Sequence, residues 1–345
     1  MIAGRGAASS GAAGGPARHR PVMLREVLSY LAPKDGGLYL DGTFGAGGHA
    51  RAILDAANCR VLGLDRDQSA IAGGAGLVEA SGGRLVLAEE RFSNLDRAAR
   101  KLGFGMLDGV LLDLGVSSMQ LDEPARGFSF RGDGPLDMRM GRGGPSAADV
   151  VNDWPEAELA SVFASLGEER RARAVARAIA DARTRGRIGR TGELAEIVRR
   201  VVRGRRDEID PATRSFQALR LLVNEELQEV AGALRAAERV LKPGGRLVVI
   251  AFHSLEDRLV KTFLTARAKS ASASRHQPEA KPIDPTFRLL TKKPVVPGKE
   301  EIETNVRARS AKLRAAERSE AAPGRDDPLA SLLAHIPSLD RSRRG

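Results

Sequence analysis

Along the first 120 residues, short apolar runs alternate with stretches of helical periodicity. Residues 22–32 place apolar side chains at i, i+1, i+4, i+5 and i+8, which predicts an amphipathic helix closed by Pro33 and by Gly36 and Gly37. Residues 38–40 predict a strand and 50–54 a helix, with Asp41-Gly42-Thr43-Phe44-Gly45-Ala46-Gly47-Gly48-His49 between them. Residues 60–65 and 84–87 read as a second and a third strand. The unbroken apolar run ahead of Asp113 predicts a fourth, buried on both faces as in a parallel sheet. From Ser146 to about Glu229 the pattern is helical throughout, rich in Ala, Leu, Arg and Glu. The sheet then resumes: a helix over 227–241, a turn at Lys242-Pro243-Gly244-Gly245, and a fifth strand over 246–251. Residues 287–290 and 310–316 are candidate last strands, the alternation in the second suiting an edge. The order predicts an α/β fold, a Rossmann-like doubly wound sheet carrying an inserted all-helical domain.

The domain boundaries follow. Residues 1–18 read as a disordered leader, 19–120 and 221–318 as one discontinuous sheet domain, 121–220 as the helical insert used for substrate recognition, and 319–345 as a disordered tail. Residues 268–282, with no periodicity, read as flexible. A hydrophobic content of 42% suffices for a core, and no apolar run approaches the roughly 18–20 residues of a membrane span. One cysteine, Cys59, excludes an internal disulfide framework and a cysteine-rich zinc site, so the expected compartment is the cytoplasm.

The net charge of +11 is unevenly spread. Residues 265–318 carry thirteen Lys/Arg against six Asp/Glu, and 170–206 carry thirteen Arg against three acids. The rest of 21–264 is acidic. An acidic body with basic appendages suits a polyanion gripped at the edges of a site, although a solvated arginine face reads the same way.

Strand, glycine loop and helix start place backbone N–H groups against a ligand, and glycine lets that ligand approach closely. Asp65 lies 20 residues after Gly45. At that spacing an acid at the tip of the second strand accepts hydrogen bonds from a ribose, unless it merely caps the next helix. The loop also accommodates the dinucleotide pattern, with Ala50 in the third glycine position. The junction at 241–247 separates the two readings, since it resembles the turn before the fifth strand of S-adenosylmethionine-dependent methyltransferases. Asp41 at the first strand tip fits the methionine end of that cofactor.

Four longer motifs narrow the resemblance. They are residues 41–49, Leu111-Leu112-Asp113-Leu114-Gly115-Val116-Ser117-Ser118, Arg126-Gly127-Phe128-Ser129-Phe130-Arg131-Gly132-Asp133-Gly134-Pro135-Leu136-Asp137-Met138-Arg139-Met140, and Phe252-His253-Ser254-Leu255-Glu256-Asp257-Arg258. In this order, with Asn305-Val306-Arg307-Ala308-Arg309-Ser310 near the end, they resemble the MraW family of small-subunit ribosomal RNA methyltransferases from about His19 to Arg318. The resemblance implies S-adenosylmethionine as cofactor and methylation of the N4 amine of a 16S rRNA cytidine in the decoding region. The partner is then 16S rRNA, free or within the 30S subunit; oligomeric state, a homodimer included, stays open. It further implies that Gly47, Gly48 and His49 contact the cofactor and that Asp65 takes its ribose. Phe92 and Asp113 would line the adenine and sulfonium region, and Gln120 would close the pocket. Base amino-methyltransferases usually carry an Asp/Asn-Pro-Pro-Tyr/Phe motif after the fourth strand, where this chain has Asp113-Leu114-Gly115-Val116, so catalytic contacts transfer less directly.

Methyl transfer from a sulfonium needs alignment and no metal. Asp113, and after it Asp137, is the candidate acceptor for an N4–H hydrogen bond. The target base must leave its stack, and Phe128 or Phe130 could receive it or could anchor the loop to the insert. His49 and His253 read as orienting groups and Trp154 as core. The competing reading is a non-catalytic rRNA-binding assembly factor that keeps a methyltransferase fold.

Overall fold

The computed structural model describes residues 21–203, 210–270 and 284–339. The expected leader, and most of the stretch expected to be flexible, lie outside these residues. Seven strands form one sheet: β1 (Leu38–Asp41), β2 (Arg60–Asp65), β3 (Leu85–Glu89), β4 (Leu107–Asp113), β5 (Leu241–Ala251), β6 (Phe287–Leu289) and β7 (Lys312–Arg318). Their order is β3-β2-β1-β4-β5-β7-β6. β1 to β5 run parallel, and β7 lies antiparallel to both of its neighbours. The chain winds outward from β1 to β3, then crosses back to lay β4 against the other side of β1. In such sheets the crevice at this reversal, beyond the carboxyl ends of the strands, is where ligands bind. β1, β2 and β4 each end on an aspartate, Asp41, Asp65 and Asp113.

Both faces of the central strands are covered, which is why they read as continuous apolar runs. Leu40, Leu62, Val110 and Leu112 point into one cluster, and Tyr39, Val61 and Leu111 point into the other. The first cluster continues without a break into the insert, through Phe163, Ile179 and Leu194, and includes Trp154. The insert consists of helices Ala147–Asp153, Glu156–Gly167, Ala172–Arg183, Thr191–Val201 and Ala212–Val223. Helix Glu226–Val240 returns the chain to β5. Sheet and insert therefore share a core.

Three expectations are corrected. The turn at 242–245 is a bulge inside β5: Leu107 pairs with Leu241 and the next pair joins Gly109 to Arg246. The bulge carries Lys242 onto Asp108, a buried carboxylate of β4 that also takes Lys34 (2.9 Å) and the Leu38 N–H (3.0 Å). Second, β7 is an interior strand and β6 is the edge. The arginines that gave β7 its polar alternation are buried, Arg314 against Asp257 (2.6 Å) and Arg318 against the carbonyls of Glu238, Thr286 and Ser319. Third, residues 319–339 of the expected disordered tail pack on the domain. Leu329 is fully buried, Asp327 pairs with Arg235, and Asp326 pairs with Arg267 (2.7 Å).

Arg267 is itself buried and also holds the buried Glu238 (3.0 Å). Removing one partner of such a pair leaves an uncompensated charge in the interior. Arg267→Ala is expected to cost about 3–5 kcal/mol of unfolding free energy in urea titrations, with Arg267→Lys intermediate. Truncation after Arg318 is expected to lower the urea midpoint as well, whereas a tail without contacts would leave it unchanged.

Candidate active site

The glycine loop is stitched to the strands on both sides. The Gly42 N–H donates to the Leu111 carbonyl of β4 (2.9 Å), and the Phe44 N–H donates to Leu64 of β2 (2.9 Å). Thr43 Oγ1 accepts the Asp113 N–H (2.7 Å), and the Gly45 N–H donates to Asp65 Oδ2 (2.9 Å). Phe44 anchors the loop from beneath. A Cβ on Gly47, Gly63 or Gly74 would stand 2.7, 2.8 or 2.6 Å from its ring, so the ring fits only because all three positions are glycine. A Cβ on Gly48 would meet Pro21 at 2.5 Å. Gly45, at φ +52°, faces open space, with nothing nearer than 3.8 Å to its Cβ position. Gly47 caps helix Gly48–Ala56 without a side chain, which leaves the first N–H groups, those of Gly48 and His49, without an intrahelical acceptor.

Three ionisable groups gather above this loop. Asp41 is fully buried; its Oδ1 takes the Thr43 N–H (3.1 Å), and its Oδ2 has no partner among the described residues. Burial pushes its pKa up to about 6, helped by Asp113 and Asp65 and opposed by His49 and the Thr43 N–H. His49 Nε2 lies 3.4 Å from Asp113 Oδ2, at ion-pair distance but without hydrogen-bond geometry. Burial disfavours protonation of His49, but the carboxylates of Asp113, Asp41 and Glu301 outweigh it and hold the pKa above the usual value. Asp113 Oδ1 is buried and unpartnered, as are both His49 ring nitrogens. So many unsatisfied polar atoms at one place mark a ligand site, since each costs free energy until it is paired.

The spacing argument left two roles open for Asp65, and the helix cap falls to its neighbour. Asp67 caps the next helix, through the N–H and hydroxyl of Ser69 (3.0 and 2.6 Å). Asp65 sits at the strand tip, taking the N–H groups of Gly45 and Asp67, with burial raising its pKa against those bonds. Gln120 is buried between two strand tips: its Oε1 accepts the Ser117 N–H (3.0 Å) and its Nε2 donates to Asp67 Oδ2 (2.8 Å). Phe92 opens the turn after β3 beside the loop, its Cβ 3.3 Å from the position a Cβ on Gly42 would take.

Other candidates lie apart. Asp137 lines a separate cleft, and Arg139 grips both of its oxygens (2.9 and 2.7 Å). Burial opposes this ionised state, but the Arg139 hydrogen bonds and charge hold the Asp137 pKa below the usual carboxylate range. Phe128 is buried, and Phe130 packs edge-on against Phe216 of the insert (4.8 Å). Of the two roles left open for these rings, the packing is that of a loop anchor, with Phe130 only partly buried. His253 and Glu256 cap helix Ser254–Arg267 reciprocally at the end of β5.

Glu301 was missed by the sequence reading. It lies on helix Lys299–Thr304, and its Oε1 accepts the N–H of Met23 (2.6 Å), a residue held at φ 52°. Nothing in its local pattern marks it; only the nearby motif at 305–310 hinted that this stretch returns to the site.

Glycine cradle, strand-tip carboxylates and helical insert together form a Rossmann-like methyltransferase fold with its ligand crevice at the β1/β4 reversal. Residues 16–319 match the family described as the MraW methylase family, and the chain belongs to that family. Its methyl donor is S-adenosylmethionine. The fit is chemical as well: the buried, unpaired oxygen of Asp41 suits a ligand that carries an ammonium. Among its relatives, a protein of Azorhizobium caulinodans is 63% identical, covering 100% of this chain and 99% of the relative. Another, of Xanthobacter autotrophicus, is 60% identical with 100% of both chains covered. Both are named ribosomal RNA small subunit methyltransferase H.

Asp41 gives this site a pH signature. Below about pH 4 the carboxyl is protonated folded or unfolded. Between that pH and about 6 it ionises first in the unfolded chain, so its contribution to stability falls as pH rises. Measured as the difference in unfolding free energy between wild type and Asp41→Asn, wild type is expected to lose up to about 3 kcal/mol from pH 4 to pH 7. A flat difference would mean that Asp41 ionises normally.

Proposed function

We propose that the chain methylates small-subunit ribosomal RNA, at the N4 amine of a cytidine in the decoding region of 16S rRNA. The observation that supports this most directly is Asp113: it ends β4 at the reversal, is fixed through its backbone by Thr43, and keeps one oxygen free. When bound, S-adenosylmethionine supplies an electrophilic methyl group on sulfonium sulfur. The cytosine amine is a poor nucleophile because its lone pair is delocalised into the ring. Asp113 Oδ1 would accept a hydrogen bond from N4–H, favour the pyramidal nitrogen, and take up the proton as the N–C bond forms and the methyl's bond to sulfur breaks, the sulfur leaving as a neutral thioether. His49, beside the other oxygen, sets the direction of the carboxylate. Asp137 is the weaker candidate because Arg139 occupies its oxygens.

The insert supports an RNA substrate. Arg170, Arg173 and Arg185 are exposed and make no ion pair among the described residues, whereas Arg187, Arg190 and Arg199 are paired with Asp149, Asp133 and Asp210. Unpaired arginines on one helical body suit a phosphate backbone. The reading places the protein in the cytoplasm with the ribosome; among the described residues no helix is long and apolar enough to cross a membrane.

Mapping of 16S rRNA by mass spectrometry from cells lacking the gene is expected to show the loss of one N4-methylcytidine signal; an unchanged signal would refute the assignment. In vitro, methyl transfer to naked rRNA and to 30S subunits identifies the substrate form. Asp113→Asn is expected to lower kcat by about 10²–10⁴-fold while the dissociation constant for S-adenosylmethionine stays within a few-fold. Equal losses would make Asp113 a cofactor ligand. The assembly-factor reading instead requires that calorimetry detect no cofactor binding.

A further inference from the structure

A cleft of about 680 Å³ opens between the β2 tip and the insert segment 125–143. Four guanidinium groups line it, those of Arg66, Arg126, Arg139 and Arg142, together with three carboxylates, Asp67, Asp137 and Glu89, the last taking the Gln68 amide (2.9 Å). Two of these arginines are already matched, Arg139 by Asp137 (2.7 Å) and Arg126 by Asp67 (2.8 Å). The other two are not. Arg66 is half-buried, and its one hydrogen bond among the described residues goes to the Asn224 carbonyl (2.9 Å). Burial and then the nearby Arg91 depress its pKa, against the more favourable fields of Glu229, Glu226 and Glu225. Arg142 is exposed and makes no hydrogen bond or ion pair among the described residues. It lies in Gly141-Arg142-Gly143-Gly144, where Gly143 (φ +95°) and Gly144 (φ +78°) have nothing within 4 Å of their Cβ positions, so a ligand can approach the backbone.

A half-buried guanidinium that no carboxylate pairs directly is stabilised by an anion, and its planar donors match a phosphate bidentately. The cofactor carries no phosphate, and its methionine carboxylate belongs with the loop at Asp41, so the anion comes from elsewhere. We propose that this cleft grips a backbone phosphate of the RNA strand through Arg66 and Arg142. The proposal rests on the reading of RNA as substrate. It also places the strand one residue from the cofactor crevice. Asp67, on the cleft wall, accepts the Gln120 amide, and its own N–H donates to Asp65 (2.8 Å).

The test measures binding of a single-stranded decoding-region oligoribonucleotide by wild type, Arg142→Gln and Arg142→Lys across a salt series. Cofactor affinity and methyl transfer to small-subunit RNA are measured in parallel. Arg142→Gln is expected to weaken RNA binding roughly 10-fold at low salt and to flatten the log K against log salt slope by about 0.7, one phosphate contact on a single strand. Arg142→Lys is expected to keep the slope, and both variants to keep cofactor affinity. An unchanged RNA affinity and slope in Arg142→Gln overturns the proposal, as does an equal loss of cofactor affinity, which would assign the cleft to the cofactor. If wild type binds RNA without methylating it, the functional reading fails while the slope still reports on the cleft.

Discussion

Three parallel strands end on aspartates that face one crevice, Asp41 fully buried and Asp65 and Asp113 partly so, and the difficulty of holding that much negative charge in one place shapes everything around it. Burial alone moves Asp41 far from its ordinary titration. The neighbourhood answers with backbone donors at Asp65, with an imidazole at Asp113, and with a loop whose own N–H groups face the same crevice. A methyl donor that carries a sulfonium suits such charge. The glycine loop is therefore half of an electrostatic arrangement, and the carboxylates are the other half.

Much of this was legible in the sequence because it is local. β2 has the limits its apolar run predicted, and Asp41, Asp65 and Asp113 fall at strand tips because a parallel strand buried on both faces ends where its apolar run ends. The insert was legible from its uninterrupted helical period. What stayed hidden depends on contacts between distant segments. Arg314 and Arg318 look like an exposed edge until Asp257 and three carbonyls are placed beside them. The tail looked disordered because its acids answer to Arg235 and Arg267, which its own pattern cannot reveal. Lys242 to Gly245 read as a turn because a bulge uses the same residues.

Within the site, residue type was easier to infer than role. Gln120 was expected to close the cofactor pocket, and what holds it in place is a strut of hydrogen bonds between two strand tips. Gly47 and Gly48 were expected to make room for a ligand, yet their missing side chains first make room for Phe44 and Pro21. The loop is thus held in shape by its own packing before anything binds.

The bond from Met23 to Glu301 joins segments 278 positions apart, and the Glu301 carboxylate acts on His49 of the crevice. Ribosomes deliver chains from the amino end, and domains begin to fold as they emerge. A nascent chain that has reached β5 holds the glycine loop and all three strand-tip aspartates, yet it lacks Glu301 and the interior strand β7. The crevice therefore matures last. An enzyme built in this order passes nearly its whole synthesis with that crevice unfinished.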